Sequence, residues 1–211
     1  MAATDASELL RAGLLEGVRV LLARGAESVA GEGSSAGEAV HALCTQLGAS
    51  VLDCRPLALG DPEATESWEQ ELERALTAAE AVDAIVIDCA GLYATASVQG
   101  ARSALGACMQ VSWGVTRTLA NAAMIPGERG GRVLYLAPPP GAGEHAEPIR
   151  AGLENLARTL SIEWARHRIT TVAIAPGEDT PADELAALTA YLCSPAGAYF
   201  SGCLLDLRGT R

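Results

Sequence analysis

Hydrophobic positions along the chain fall into short unbroken runs separated by stretches of helical spacing. "VRVLLA" (18–23), "DAIVIDCAG" (83–91), "GRVLYLA" (131–137), "TTVAIA" (170–175) and "CLLDL" (203–207) are such runs. A strand reads this way when both of its faces are covered, as in a parallel sheet. The run 83–91 is read as a buried strand ending in a turn, and "ASVLDCRPLAL" (49–59) as one extended stretch. Helical spacing marks 38–48, which closes on Gly48, and also 98–125, 148–166 and 181–193. A further helix is expected over 67–82, where Ser67 and Gln70 have the spacing of a capping box. Strands alternating with helices of this length imply right-handed crossovers and a sheet covered on both sides. The predicted class is therefore α/β. A single Rossmann-like doubly wound parallel sheet of about six to seven strands would carry helices on both faces. No repeat or linker interrupts it, so 1–211 reads as one domain with 1–16 as an N-terminal lead-in.

Composition narrows the chemistry. Apolar residues are 49% of the chain but aromatics only 4%, so the core must rest on Ala, Val, Leu and Ile. The net charge of −11 and the lack of any Arg run oppose phosphate backbones and anionic lipid, so neither nucleic acid nor membrane is an expected partner. The opening "MAATDASELLRAGLLEG" has acids and no basic n-region, which argues against a secretory signal and for a cytoplasmic protein. Six scattered cysteines without a C-x-x-C read as small buried hydrophobes. His41, His145 and His167 are too far apart for a zinc-type site. All fifteen cationic side chains are arginine, which excludes any lysine base, Schiff base or phosphate-binding lysine. A lysine-free chain rich in Ala, Gly and Arg is what a GC-rich bacterial genome yields.

The order of these landmarks resembles that of the short-chain dehydrogenases/reductases over roughly residues 15–211. "DAIVIDCAG" looks like their strand followed by Asn-Asn-Ala-Gly, and "GGRVLYLA" like their fifth strand. "RAGLENLARTLSIEWARHRITTVAIAPG" resembles the active-site helix, sixth strand and Pro-Gly, and "ADELAALTAYLCSPAGAYFSGCLLDLRG" the C-terminal end. The resemblance implies NAD(P) on a glycine loop and carbonyl reduction or alcohol oxidation. It also implies a tyrosine proton donor, a lysine four residues on that lowers its pKa, a serine holding the substrate oxygen and an asparagine supporting a proton relay. A phenol titrates near ~10 and needs a nearby cation to share its proton at neutral pH.

Aligned on those motifs, the asparagine, serine, tyrosine and lysine positions fall on Val111, Pro138, Ala146 and Arg150. Arg150 keeps the charge but does not deprotonate, and the other three offer no side-chain donor. Only "EDTPA" stands between Gly177 and the next helix, where the family carries a substrate-covering segment. The Gly-x-x-x-Gly-x-Gly spacing is met by Gly31 and Gly37 with Ser35 in the middle when aligned from the following helix. Aligned from the preceding strand, it is met by Gly25 with several residues inserted. A side chain at the middle position obstructs close approach of a pyrophosphate, and Glu32 and Glu38 oppose an anion beside it. Gly31, Ser35, Gly37 and Gly91 are nevertheless the candidate cofactor contacts, with Asp53 or Arg55 as candidate readers of the ribose. The expected cofactor is none, or NAD(P) held weakly.

Replacement chemistry has few candidates. His145, flanked by Glu144 and Glu147, stands beside the tyrosine position, but a histidine in a polar loop is ordinarily a solvated group. Tyr135 lies in a strand and reads as core, while Tyr93 follows the Ala90-Gly91 turn. Glu178 and Asp179 form a carboxylate pair or simply favour the start of the next helix. Apolar stripes on the helices at 98–125 and 148–166 fit either core packing or an oligomer interface. The expectation is a non-catalytic structural or regulatory subunit, in a homo-oligomer or in a hetero-oligomer with an active relative. The alternatives are an NAD(P)-dependent oxidoreductase with an atypical site, and a small-molecule sensor.

Overall fold

In the computed structural model, which describes residues 10–25, 35–55, 81–98, 100–126 and 128–209, the apolar runs pair into one sheet. Its strands are β1 (Arg19–Ala23), β2 (Ser50–Cys54), β3 (Ala84–Asp88), β4 (Gly131–Leu136), β5 (Ile169–Ala175) and β6 (Cys203–Asp206). All neighbours are parallel, in the order β2-β1-β3-β4-β5-β6. The chain leaves β1 in one direction to make β2, then returns to the other side of β1 with β3. This reversal opens a crevice at the carboxyl ends of β1 and β3.

Inside strands that are apolar throughout, alternation still decides which layer each residue enters. Leu21, Ile85, Val133 and Tyr135 share one face with α3 (Ala101–Leu119) and α4 (Ala146–Glu163), through Cys108, Val111, Val115, Ile149, Leu153 and Ala157. Val20, Leu22, Val86, Leu134, Val172 and Ile174 share the other with α1 (Ala36–Gln46) and α5 (Ala182–Cys193). Burying each such Leu, Ile or Val is worth roughly 1.5–3 kcal/mol, so both faces contribute. Where β5 places a threonine in the core, Thr171 donates its hydroxyl hydrogen to the Ala157 carbonyl oxygen in α4 at 2.5 Å.

Several boundaries differ from the expectation. The run 83–91 is not a strand with a turn: β3 stops at Asp88 and α2 (Cys89–Ser97) begins at once. The Asp88 carboxylate accepts from the Gly91 N–H at 2.9 Å and so caps that helix, a signal the apolar pattern hides. The helix expected over 98–125 starts only after Gly100, whose φ of 108° breaks the chain direction, and it ends in a π-helical turn at Ala120–Met124. The helix expected at 148–166 runs from Ala146 to Glu163. Within 49–59, Ser50–Cys54 is extended, and 56–59 lies outside the described residues, as do the 67–82 helix apart from its last two residues and its Ser67–Gln70 box. Among the described residues no helix is long and apolar enough to cross a membrane.

Two glycines set how closely these layers approach. A Cβ on Gly25, just past β1, would meet the Gly91 carbonyl oxygen at 2.5 Å, and one on Gly37 would meet Asp88 Oδ2 at 2.5 Å. Gly25→Ala is expected to cost about 1–3 kcal/mol through overpacking against backbone. Gly106, mid-helix with nothing within 4 Å of an added Cβ, should instead gain about 0.4–1 kcal/mol as Gly106→Ala. Urea or thermal melts of the two variants check the opposite signs.

Candidate functional site

The crevice at the sheet's carboxyl edge has a volume of about 600 Å³. The segment after β1 supplies Arg24 and Gly25, the start of α1 Ser35 and Glu38, α2 Gly91 and Thr95, and the turns after β4 and β5 Pro139, Pro176 and Glu178. A second hollow of about 740 Å³ continues past Gly177, Glu178 and Thr180 to Leu207 and Arg208 beside β6. Carboxyl-end loops thus form one wall, as the parallel strand order requires.

At the crevice floor lies Asp88, 2% exposed. Its carboxylate is held by the N–H groups of Gly91 and Gly37, from the first turns of α2 and α1, and faces Arg24. Burial outweighs these partners and raises its pKa above the ordinary carboxylate value. Arg24 is itself committed: its Nε donates to Asp53 Oδ1 at 2.9 Å across the β1–β2 pair. Asp53, one candidate for reading a ribose, is therefore tied to the sheet edge, and Arg55 Nη2 approaches it at 3.9 Å.

The glycine-loop candidates separate. Gly31 lies outside the described residues. Ser35 is the N-cap of α1: its Oγ accepts the Glu38 N–H at 3.2 Å, and Glu38 Oε2 accepts the Ser35 N–H at 3.1 Å. This is a reciprocal capping box. Gly37 and Gly91 flank the Asp88 carboxylate, each so close that an added Cβ would stand 2.5 Å from Oδ2.

Arg150 projects from α4 into the region behind the β4 and β5 turns and is 4% exposed. Its Nη1 donates to the carbonyl oxygens of Pro138 and Pro176, both at 2.8 Å. Glu147 Oε1 lies 3.6 Å from its Nε and Asp206 Oδ1 3.8 Å from its Nη2. Nη2 is buried with no hydrogen bond of its own. Burial pulls the guanidinium pKa down, against the attraction of Glu147 and Asp206. One side chain thus fastens the ends of β4, β5 and β6 together. Asp206 is in turn held down to about 2 by its hydrogen bonds with Arg208.

Of the other positions, Val111 and Ala146 are buried apolar residues and Pro138 is buried at the end of β4. His145 is half-buried at the N-cap of α4 and makes no capping bond with its side chain. Tyr135 is fully buried, its hydroxyl 3.0 Å from Thr116 Oγ1, and burial pushes its pKa far above the phenol range. Tyr93 is also buried, packed against Gly143. Glu178 lines both hollows while Asp179 lines only the one beside β6. All six cysteines lie in described residues, none in a disulfide, and Cys44, Cys89, Cys108 and Cys193 are buried. No group of three or more His, Cys, Asp or Glu among the described residues is placed to hold a metal ion. Sequence reading missed Asp88 as a functional group. Its signal was a lone carboxylate closing an otherwise apolar strand immediately before Cys-Ala-Gly.

No family model and no curated protein matches this chain by sequence. Solved structures do. A short chain dehydrogenase from Mycobacterium smegmatis is similar at TM-score 0.71 and 19% identity, over 94% of this chain and 95% of that one. A citronellol catabolism dehydrogenase from Pseudomonas aeruginosa is similar at TM-score 0.70 and 21% identity, over 94% and 96%. A protein of Beutenbergia cavernae assigned as an NAD(P) dependent gluconate 5-dehydrogenase, holding NADP at low occupancy, is similar at TM-score 0.67 and 18% identity, over 92% and 96%. Coverage is nearly end to end on both sides, and the shared sheet carries the crevice just described. The chain has the short-chain dehydrogenase/reductase fold.

Proposed function

We propose that this protein is a non-catalytic member of that fold, a pseudoenzyme acting as a structural or regulatory subunit of an oligomer and binding NAD(P) weakly or not at all. The observation that carries the reading is the commitment of Arg150. In the resemblance this position belongs to a cation that tunes a neighbouring phenol. Here the guanidinium is spent on the Pro138 and Pro176 carbonyl oxygens. It keeps its proton, and the residue one helical turn before it, Ala146, has none to give.

Assembly is favoured by the outer faces of α3 and α4. Trp113 is 43% exposed and Ile162 79%, with Leu105, Met109 and Leu156 half-covered between core and solvent. The partner is a second copy of this chain or an active relative of the same fold. The crevice favours a second reading: a pocket of 600 Å³ suits a small organic ligand, either in an oxidoreductase with an atypical site or in a sensor.

Light scattering of the purified chain should give a mass at least double 21.7 kDa, and Trp113→Glu should return it toward the monomer. A monomeric wild type removes the homo-oligomer. Co-purification with a complete relative then decides the mixed assembly. NADH and NADPH fluorescence titrations should show no saturation below millimolar cofactor, whereas micromolar binding with carbonyl turnover establishes the oxidoreductase. Arg150→Lys should restore no reductase activity and should lower stability by about 1–3 kcal/mol, because a single ammonium cannot span the same carbonyls. A thermal melt with an activity assay reads both.

A further inference from the structure

Every backbone donor at the start of α1 whose partner is known goes to the protein's own oxygens. The Ser35 N–H is taken by Glu38 Oε2 and the Glu38 N–H by Ser35 Oγ. The Gly37 N–H is directed at the Asp88 carboxylate. A helix start following the first strand of such a sheet, at the β1/β3 reversal, ordinarily offers these donors to a ligand anion. Here two carboxylates stand at it, both lining the crevice, with Glu178 on the opposite wall. Among the described residues lining the crevice, Arg24 supplies the one guanidinium, and it is already bound to Asp53. The packing shows that Asp88 is seated there and not merely nearby. Its Oδ2 lies so close to Gly37 and Gly91 that neither glycine has room for a methyl group, and the carboxylate is 2% exposed.

We infer that Asp88 and Glu38 act as built-in anions occupying the phosphate position of the crevice, and that they set its specificity. It rejects phosphate-bearing ligands and admits uncharged organic molecules against its lining of Ala36, Ala90, Ala94, Val98 and Leu185. The inference rests on the reading that the chain holds NAD(P) weakly or not at all, and adds the residues responsible and the ligand class that remains. Removing a carboxylate leaves the cap geometry available while withdrawing one unit of repulsion. At the effective dielectric of a partly open crevice, that repulsion corresponds to about tenfold in affinity for buried Asp88 and about threefold for the more exposed Glu38.

Isothermal titration of the full chain with inorganic pyrophosphate, NADH and NADPH tests this, using wild type, Asp88→Asn, Glu38→Gln and the double variant, with melting curves alongside. Wild type is expected to bind none of the three below 1 mM, on the order of the weakest specific binding. Asp88→Asn should gain about tenfold, Glu38→Gln about threefold, and the double variant roughly their product, each gain shrinking as NaCl is raised. Micromolar pyrophosphate or dinucleotide binding by wild type overturns the inference. So does a folded double variant that binds no better than wild type. Should Asp88→Asn fail to fold, Glu38→Gln alone decides by the same criterion. The oligomeric mass is read without any ligand, so this inference and the subunit reading can fail separately.

Discussion

Six parallel strands deliver all their carboxyl ends, and the turns that follow them, to one edge of the sheet. The edge is stitched by a carboxylate with almost no access to water. Asp88 closes β3, starts α2 through the Gly91 N–H, and meets the first turn of α1 through Gly37. Two helices on opposite sides of the sheet therefore share one buried anion, so the position of β3 fixes both helix starts. The arrangement tolerates no side chain at Gly37 or Gly91 and keeps Gly25 in contact with the α2 backbone. A lone ionised carboxylate this deep would be expensive, and helix N–H groups and Arg24 offset part of that cost.

Arg150 does the complementary work at the other half of the edge. It gathers the turns after β4 and β5 by their carbonyl oxygens and faces Asp206 at the end of β6. One buried anion and one buried cation thus hold the rim from which functional loops of this fold depart. Both groups stand where ligand or catalytic contacts are ordinarily made on a sheet of this topology. Spent on the chain's own backbone, they stiffen the rim and leave a crevice whose lining is mostly small and apolar. This links the packing to the functional reading: donors satisfied internally are not available to a cofactor without paying for their release.

Much of the molecule was legible beforehand because its strands are buried on both faces. Continuous apolar runs such as 131–137 and 170–175 announce themselves without tertiary context, and β4 and β5 match them to within a residue. Tyr135 could be assigned to the core for the same reason, whereas the capping role of Ser35 could not, because helical spacing begins only at residue 38 and Ser35 falls within the glycine-loop spacing. The boundary at Asp88 was not legible. Cys89-Ala90-Gly91 is as apolar as the strand before it, and only the hydrogen bond from Gly91 separates strand from helix.

What the sequence by itself determined was the class of the fold: hydrophobic period and length depend only on local spacing, and spacing is written in the chain. Its composition likewise settled that no lysine chemistry is possible. What only tertiary structure decided was the allegiance of the charged groups. Arg150 is 12 residues from Pro138 and 26 from Pro176, and Arg24 is 29 from Asp53. Whether an arginine or an aspartate serves a ligand or the backbone depends on donors and acceptors brought beside it from distant strands. Burial then amplifies that choice, since each buried charge takes whatever partners the fold places within reach.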